Sequence, residues 1–246
     1  MERLDKIISS LTEYSRKEVR NLVRQKRVSV NSITVEKADL KINPIKDKIM
    51  LDNKALTFQE HVYLILNKPK DYISATTDPT QATVLDLVPS KYLHRDLFPA
   101  GRLDKDTTGL MIITDDGQFA HDILSPKKHV PKTYKVTVDI PLTKEMIEAF
   151  KAGIILNDGK CKSASLEIKN TFEAIVTITE GRYHQIKRMF AACKATVIEL
   201  ERLGMGNLFL PTDLARGTCR ELTKEELAKV TNSSKDKSNW FVFFML

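Results

Sequence analysis

The sequence has few cysteines, and their arrangement excludes a metal site or a disulfide framework. Its 246 residues include three, Cys161, Cys193 and Cys219, which is an odd number at wide spacing. No two of them have the short separation of a zinc knuckle, and the five histidines do not complete one. We therefore expect reduced structural thiols and no bound metal.

Long apolar runs are lacking as well. No run approaches the roughly 20 residues that a membrane-spanning helix needs. The N-terminus carries Glu2 and Asp5 and enters a helical pattern at once, unlike a signal or transit peptide. We therefore expect no membrane association and a cytoplasmic location.

Positive charge is present in excess and is unevenly distributed. The chain has a net charge of +7, and residues 1–48 hold 12 of its 39 Lys and Arg but only 7 of its 32 Asp and Glu. This basic head on a nearly neutral body indicates a module that binds a polyanion, and a solvated basic face is the alternative.

The basic head contains two predicted helices. Leu4, Ile7, Ile8 and Leu11 repeat at the spacing of a short amphipathic helix. A second helix opens at Ser15, which has the spacing of a capping box with Glu18. Four arginines lie on one stripe of this second helix and its end: Arg16, Arg20, Arg24 and Arg27. Such guanidinium groups repel each other unless an anion lies across them, and arginine binds phosphate in bidentate fashion.

Strands and helices mix in the rest of the chain without a strict βαβ rhythm. Apolar or alternating strands are predicted at 62–66, 110–114, 134–138 and 174–179, followed by a helix whose core-facing stripe begins at Ile186. The expected fold class is α+β, with a mixed, largely antiparallel sheet flanked by helices.

The N-terminal pattern resembles the S4 RNA-binding module. The resemblance rests on Arg3-Leu4-Asp5-Lys6, on Ser15-Arg16 and on the segment from Arg27 to Asn31. It implies an RNA ligand but no reaction, because this module occurs in many RNA-associated proteins. Phosphate contacts of this kind supply affinity and orientation.

Three separated blocks resemble the motifs of pseudouridine synthases, in the order which that family uses. They are Gly101-Arg102-Leu103-Asp104 with Thr107-Thr108-Gly109-Leu110, then Lys132-Thr133-Tyr134, and then the run from Glu180 to Phe190. Leu200, Arg202 and Met205 continue the pattern. The resemblance is strongest to the RsuA-type branch, which modifies small-subunit (16S) ribosomal RNA. By composition alone, the first block would be an exposed capped loop.

The resemblance implies a role for each matching residue. Asp104 is the expected catalytic carboxylate, acting either at the ribose C1′ or as a base on the sugar. Tyr134 is expected to stack on the target uracil, and Lys187 to pair with Asp104 and hold it ionised. Arg102 is expected to fill the gap that the extruded base leaves. Other branches often have arginine where Lys187 stands, so the charge is kept but the planar guanidinium group is lost.

Further basic residues are expected to contact RNA, and local structural roles remain open for those of the body. In the head they are Arg3, Arg16, Arg20, Arg24 and Arg27, and in the body Lys68, Lys132, Arg182, His184 and Arg188. Three other carboxylates, Asp106, Asp115 and Asp116, flank a predicted strand and turn. We interpret these three as caps rather than as a metal-binding cluster.

The sequence thus predicts an isomerase that needs no cofactor and acts on 16S ribosomal RNA, in a pre-ribosomal particle, as a monomer. A large-subunit (23S) RNA pseudouridine synthase and a non-catalytic ribosome-binding or assembly factor are the alternatives. We expect an S4-like domain at 1–58, a catalytic domain at 59–230 and an apolar tail at 231–246. The tail has no predicted function.

Overall fold

The computed structural model describes residues 1–56, 58–125 and 128–231. Its N-terminal region combines two helices with two small antiparallel sheets, in which β1 pairs with β4 and the other four strands run in the order β3-β2-β5-β6. The elements are β1 (Glu2–Arg3), α1 (Leu4–Leu11), α2 (Arg16–Arg24), β2 (Val28–Val30), β3 (Ile33–Thr34), β4 (Lys41–Ile42), β5 (Ile49–Leu51) and β6 (Lys54–Leu56).

Both predicted N-terminal helices are present. Leu4, Ile7 and Ile8 of α1 are buried in one cluster with the apolar side of α2. The predicted capping box also forms, since the Ser15 hydroxyl accepts from the Glu18 backbone N–H and the Glu18 carboxylate accepts from the Ser15 backbone N–H. These reciprocal bonds satisfy two donors of the first turn and fix where α2 begins.

The larger region follows from residue 58 onward and contains a nine-stranded sheet. Its strands are β7 (Tyr63–Lys68), β8 (Phe98–Pro99), β9 (Thr108–Thr114), β10 (Lys132–Val138), β13 (Ser165–Ile168), β14 (Glu173–Ile178), β15 (Val197–Met205), β16 (Leu208–Phe209) and β17 (Cys219–Glu221), and a separate hairpin is formed by β11 (Ile155–Leu156) and β12 (Gly159–Lys160). Its helices are α3 (Gly117–Leu124), α4 (Lys144–Ala152), α5 (Gln185–Ala192) and α6 (Lys224–Thr231), with short 3-10 helices at Val84–Leu87 and Ser90–Tyr92.

The sheet is mixed and largely antiparallel, which confirms the predicted fold class. Its strand order is β13-β14-β10-β15-β9-β7-β17, with β16 beside β15 and β8 beside β9. Among the described strands, β15 and β9 form the one parallel pair, in which Arg202 lies opposite Gly109. Gly109 has φ +98°, and a Cβ there would lie 2.3 Å from the Arg202 carbonyl oxygen. Only glycine therefore suits this join between the two strands.

Helices cover both faces of the sheet. Met111 of β9 belongs to the cluster that contains Phe150 of α4 and Phe190 of α5, while Leu110 belongs to the cluster that contains Phe119 of α3. This alternation makes β9 a fully buried central strand. Every described helix is too short or too polar to cross a bilayer.

The limits of the predicted domains fall between regular elements, except at the C-terminus. β6 ends at Leu56 and β7 begins at Tyr63, on either side of the predicted boundary at residue 58. The predicted tail starts at Thr231, but α6 extends through that residue. The rest of the predicted tail, 232–246, lies outside the described residues.

Candidate active site

The loop that carries Asp104 is held in place by a buried lysine. Lys68 is the last residue of β7, and its side chain is fully buried. Its ammonium donates to the carbonyl oxygens of Asp104, Lys105 and Thr107 at 3.1, 3.1 and 2.8 Å, and to that of Pro69. Burial lowers the pKa of Lys68 to about 8. These bonds fix the backbone of the loop between β8 and β9.

Ser74 provides a second anchor for the same loop. Its hydroxyl donates to the Leu103 carbonyl oxygen at 2.8 Å and accepts from the Leu103 backbone N–H at 2.9 Å. The Ser74 hydroxyl thereby holds both backbone polar groups of Leu103, so the Asp104 side chain projects from a constrained backbone.

Two groups from the start of α5 flank the Asp104 carboxylate. Lys187 Nζ lies 3.0 Å from Asp104 Oδ2, and His184 Nε2 lies 3.3 Å from Asp104 Oδ1. His184 precedes α5 in a left-handed conformation, with φ 46° and ψ 35°, which is unusual for a residue other than glycine. The side chain of Asp104 is 27% exposed, so the carboxylate is accessible to a ligand while it remains paired.

Lys187 is shared between two carboxylates, of which the sequence predicts only Asp104. Its ammonium also contacts Asp106, at 2.6 Å from Oδ1 and 2.9 Å from Oδ2. Burial disfavours the ammonium form, but the hydrogen bonds to Asp106 and Asp104 outweigh this effect and raise the pKa of Lys187. Lys187 therefore stays protonated beside Asp104. The interpretation of Asp106 as a cap is thus incomplete, whereas Asp116 does cap α3 by accepting from the Phe119 backbone N–H.

Asp104 opens onto a cavity of about 870 Å³. Tyr134 lines it from β10 and is 7% exposed, and Arg102 lines it as an exposed side chain on the Asp104 loop. Lys132 and Arg202 line it as well, although both side chains are buried. A cavity of this size, lined by one paired carboxylate and by the rings of Tyr134, Tyr183 and His184, can hold a nucleoside.

The described part of the chain offers no ligand set for a metal. Within it, no three His, Cys, Asp or Glu side chains come close enough together to bind an ion. The chemistry available at this cavity includes that of a carboxylate, ammonium and guanidinium groups, an imidazole and two phenols.

Comparison with known proteins agrees with these features. A family model described as RNA pseudouridylate synthase matches residues 62–192, and an S4 domain model matches residues 2–46. This chain belongs to the RNA pseudouridylate synthase family. Asp104, Tyr134 and Lys187 all lie within the matched synthase residues.

Close relatives extend this similarity over nearly the whole chain. The Ribosomal small subunit pseudouridine synthase A of Escherichia coli (strain K12) is 43% identical over 232 residues, which cover 93% of this chain and 99% of that protein. The Uncharacterized RNA pseudouridine synthase YtzG of Bacillus subtilis (strain 168) is 41% identical over 230 residues, covering 92% and 96%. A crystal structure of a pseudouridylate synthase superposes with a TM-score of 0.66 at 37% identity, covering 94% of this chain and all of that one.

Two of the basic residues that we expected to contact RNA are buried. Lys68 is fully buried and donates to carbonyl oxygens, so its predicted RNA contact is wrong. Lys132 is 7% exposed and faces the cavity, which is inconsistent with a contact to the phosphate backbone. Both residues sit on central strands of the sheet, where burial overrides the usual surface preference of lysine.

Arg182 and Arg188 support the hairpin of β11 and β12. Arg188 forms two hydrogen bonds to the Asp158 carboxylate, and Arg182 donates to the carbonyl oxygens of Gly159 and Lys160. These contacts favour the local structural role that sequence analysis left open for both residues. His184 contacts Asp104 and lines the cavity, and its contact with RNA stays a prediction.

The arginines of the S4 domain are exposed, but several have a counterion within the fold. The fully buried Asp5 pairs with Arg3, Arg16 and Arg20 at 2.9 to 3.7 Å, and Arg27 pairs with Asp52. Asp5 therefore supplies part of the negative charge that the arginine stripe requires. Asp5 belongs to the Arg3-Leu4-Asp5-Lys6 motif, but its role as a buried counterion was not predicted.

Proposed function

We propose that this protein isomerises a uridine of 16S ribosomal RNA to pseudouridine. Asp104 is its catalytic carboxylate, Tyr134 stacks on the target uracil and Lys187 pairs with Asp104. The observation that supports this most directly is the 3.0 Å pair of Lys187 and Asp104, at a cavity that Tyr134 also lines. The reaction requires one oriented carboxylate and an aromatic ring in a cavity that an extruded nucleoside can enter.

The reaction rearranges bonds without net gain or loss of atoms. The N1–C1′ bond of uridine breaks, the base turns, and C5 bonds to C1′, while the proton of C5 is lost and N1 gains one. Asp104 acts at C1′ or removes a proton from the ribose. The leaving base is also the incoming group, so no water needs activation and one carboxylate suffices, unlike the pair in ordinary glycosidases.

The target nucleotide has to leave its helix before Asp104 can reach the sugar. Extrusion costs a few kcal/mol, and stacking on an aromatic ring returns about 1–3 kcal/mol per base. Tyr134 supplies that ring. The exposed Arg102 side chain fills the gap that the base leaves.

The substrate assignment draws on the relatives that are named for the small ribosomal subunit. We propose that the RNA is presented in a pre-ribosomal particle in the cytoplasm and that the enzyme acts as a monomer without a cofactor. Residues 1–58 form the RNA-binding head and residues 59–230 the catalytic domain. Arg3, Arg16, Arg20, Arg24 and Arg27 orient the head on RNA through phosphate contacts.

Removing the Asp104 charge tests this function. Asp104→Asn keeps the shape of the side chain but lacks the ionised oxygen, so it should form no measurable pseudouridine in an unmodified 16S transcript. RNA affinity should stay within about 3-fold of wild type, because phosphate contacts supply most of it. Pseudouridine is mapped by chemical modification and primer extension, and affinity is measured by filter binding.

The exposed carboxylate Asp213 provides the control. Asp213→Asn should convert the transcript as the wild type does. Full activity of Asp104→Asn would remove this carboxylate from the mechanism. Conversion of 23S RNA instead of 16S RNA would favour a large-subunit enzyme, and binding without conversion of either RNA would favour an assembly factor.

A further inference from the structure

Two buried cations stand next to Tyr134 on the wall of the cavity. Lys132 precedes Tyr134 by two residues on β10, so both side chains point to the same face of the sheet. Arg202 of β15 lies directly opposite Tyr134 in the strand register. Lys132 is 7% exposed and Arg202 is 1% exposed, and both residues line the cavity.

Neither cation has a counterion among the described residues. Lys132 Nζ donates to the Val130 carbonyl oxygen at 3.2 Å, and Arg202 Nε donates to that of Leu110 at 2.6 Å. Arg202 Nη2 is buried without a hydrogen-bond partner in the described part of the chain. Asp104, the carboxylate on the same cavity, pairs with Lys187 instead.

This arrangement is energetically costly for the protein. Burial of an unpaired charge is unfavourable, and two like charges near each other add to that cost. Burial and the Arg202 charge lower the pKa of Lys132 to about 8. Lys68, which is also buried, donates to four carbonyl oxygens and so has the compensation that Lys132 and Arg202 lack. A ligand that brings negative charge to the cavity would offset this cost.

The proposed reaction generates such a ligand. When the N1–C1′ bond breaks, its electron pair stays with the base, and the resulting anion is delocalised over N1 and the two carbonyl oxygens of uracil. Donors that are already in place where this charge develops stabilise the transition state without reorganisation.

We propose that Lys132 Nζ and the Arg202 guanidinium group bind the detached uracil as an anion through its carbonyl oxygens. This inference rests on the proposed function and deepens it. The two cations stabilise the charge that the base acquires and retain the base in the cavity until C5 bonds to C1′. Both keep their own protons, since the C5 proton leaves only after the new bond has formed.

Binding of two free pyrimidines to the full chain tests this anion site. Barbiturate is an anion at neutral pH and carries the carbonyl oxygens of uracil, whereas uracil itself is neutral. We expect the wild type to bind barbiturate at least 10-fold more tightly than uracil, measured by ligand-observed nuclear magnetic resonance. Lys132→Met should reduce that preference at least 5-fold while leaving uracil affinity within about 3-fold.

Lys135→Met is the matched control, because Lys135 lies on the same strand but is exposed and pairs with Glu173. It should retain the wild-type preference. Arg202→Met could unfold the β9–β15 join, so Arg202→Lys is used in its place, with thermal melting to verify the fold. It retains the charge without Nη2, and it should also weaken the preference for barbiturate.

Kinetics on 16S transcripts separate this inference from the proposed function. Lys132→Met should lower kcat by about 10- to 100-fold with KM nearly unchanged, since the contact to the anion forms only as the bond breaks. Equal affinity of the wild type for barbiturate and uracil, or a preference unchanged in both Lys132→Met and Arg202→Lys, would overturn the anion site even if pseudouridine forms. A clear preference without any pseudouridine formation would support the anion site and reject the proposed reaction.

Discussion

Lys68 shows how a single charged side chain can organise a catalytic loop from beneath. Its ammonium is fully buried and bridges four carbonyl oxygens around Asp104. A lysine is almost never fully buried unless its charge is compensated, and here carbonyl dipoles provide that compensation. The position of Asp104 thus depends on a residue that contacts its backbone rather than its carboxylate.

Lys68→Met removes these bonds while keeping a similar volume. Several buried carbonyl oxygens lose their donor, and each such loss costs about 1–3 kcal/mol, so we expect the free energy of unfolding to fall by about 3 kcal/mol. Pseudouridine formation should fall as well. Urea denaturation measures the first effect, and Lys70→Met, which alters an exposed side chain paired with Glu199, is the control. Equal stability of the two variants would contradict the anchoring role.

Asp5 has a comparable position in the S4 domain, where it makes stability depend on pH. Burial by itself would raise the pKa of Asp5, but hydrogen bonds from Arg3 and Arg16 outweigh it and lower the pKa. The folded domain therefore binds this proton less readily than the unfolded chain does. The resulting stabilisation is complete above the unfolded pKa of about 3.9 and is lost as the pH falls through the lower folded pKa.

Comparison of the wild type with Asp5→Asn should reveal this dependence. At pH 7 the variant should show faster hydrogen exchange at the backbone amides of α1, because Arg3, Arg16 and Arg20 lose their shared counterion. The difference should shrink as the pH falls below about 4. A difference that stays constant down to pH 2 would show that the Asp5 charge is not what stabilises α1. Asp39→Asn changes an exposed carboxylate and serves as the control.

Among the elements, the parallel pair of β9 and β15 brings the separate parts of the site together. β9 follows the Asp104 loop directly, β15 carries Arg202, and β10 on the other side of β15 carries Tyr134. His184, just before α5, and Lys187, in its first turn, contribute the two groups that flank the Asp104 carboxylate. Close approach of β9 and β15 depends on Gly109, which has no Cβ to meet the Arg202 carbonyl oxygen.

Gly109→Ala should separate these two strands. The added Cβ would lie 2.3 Å from a backbone oxygen and would sit at a positive φ, so we expect a loss of about 3 kcal/mol or more in unfolding free energy. Gly117→Ala is the matched control, because a Cβ at the start of α3 would meet nothing within 4 Å. Thermal melting compares the two, and a similar melting temperature would show that β9 and β15 can shift to accept a methyl group.

At the scale of the whole molecule, Arg95 joins the head to the catalytic domain. Its guanidinium donates to the Ser10 carbonyl oxygen of α1 and to the carbonyl oxygens of Gln59 and Glu60, and it also pairs with Asp115. The arginine side chain is 5% exposed. This contact orients the basic head relative to the Asp104 cavity.

Arg95→Ala should loosen that orientation without changing the chemistry. We expect KM for the 16S transcript to rise about 10-fold while kcat stays within about 3-fold, because the head would then bind RNA in several orientations relative to the cavity. Steady-state kinetics provide the measurement. Lys91→Ala, at an exposed side chain over the Tyr92 ring, is the control. Unchanged kinetics in Arg95→Ala would mean that this joint does not position the RNA.

The sequence by itself determined the local elements and the order of the motifs. The spacing of Leu4, Ile7 and Ile8 predicted α1, Ser15 and Glu18 predicted the start of α2, and the alternation around Tyr134 predicted β10, all of which the structure contains. Such features depend on residues a few positions apart, so periodicity and capping are sufficient to predict them.

Only the tertiary structure decided which charged residues are exposed and which face the interior. Lys68 and Lys132 have no local feature that distinguishes them from surface lysines, and they are buried because their strands lie inside the sheet. Asp106, the second partner of Lys187, and Leu110, whose carbonyl oxygen accepts from Arg202, likewise come from distant parts of the chain. Burial and pairing follow from strand register and from contacts between remote segments, which the local sequence pattern does not specify.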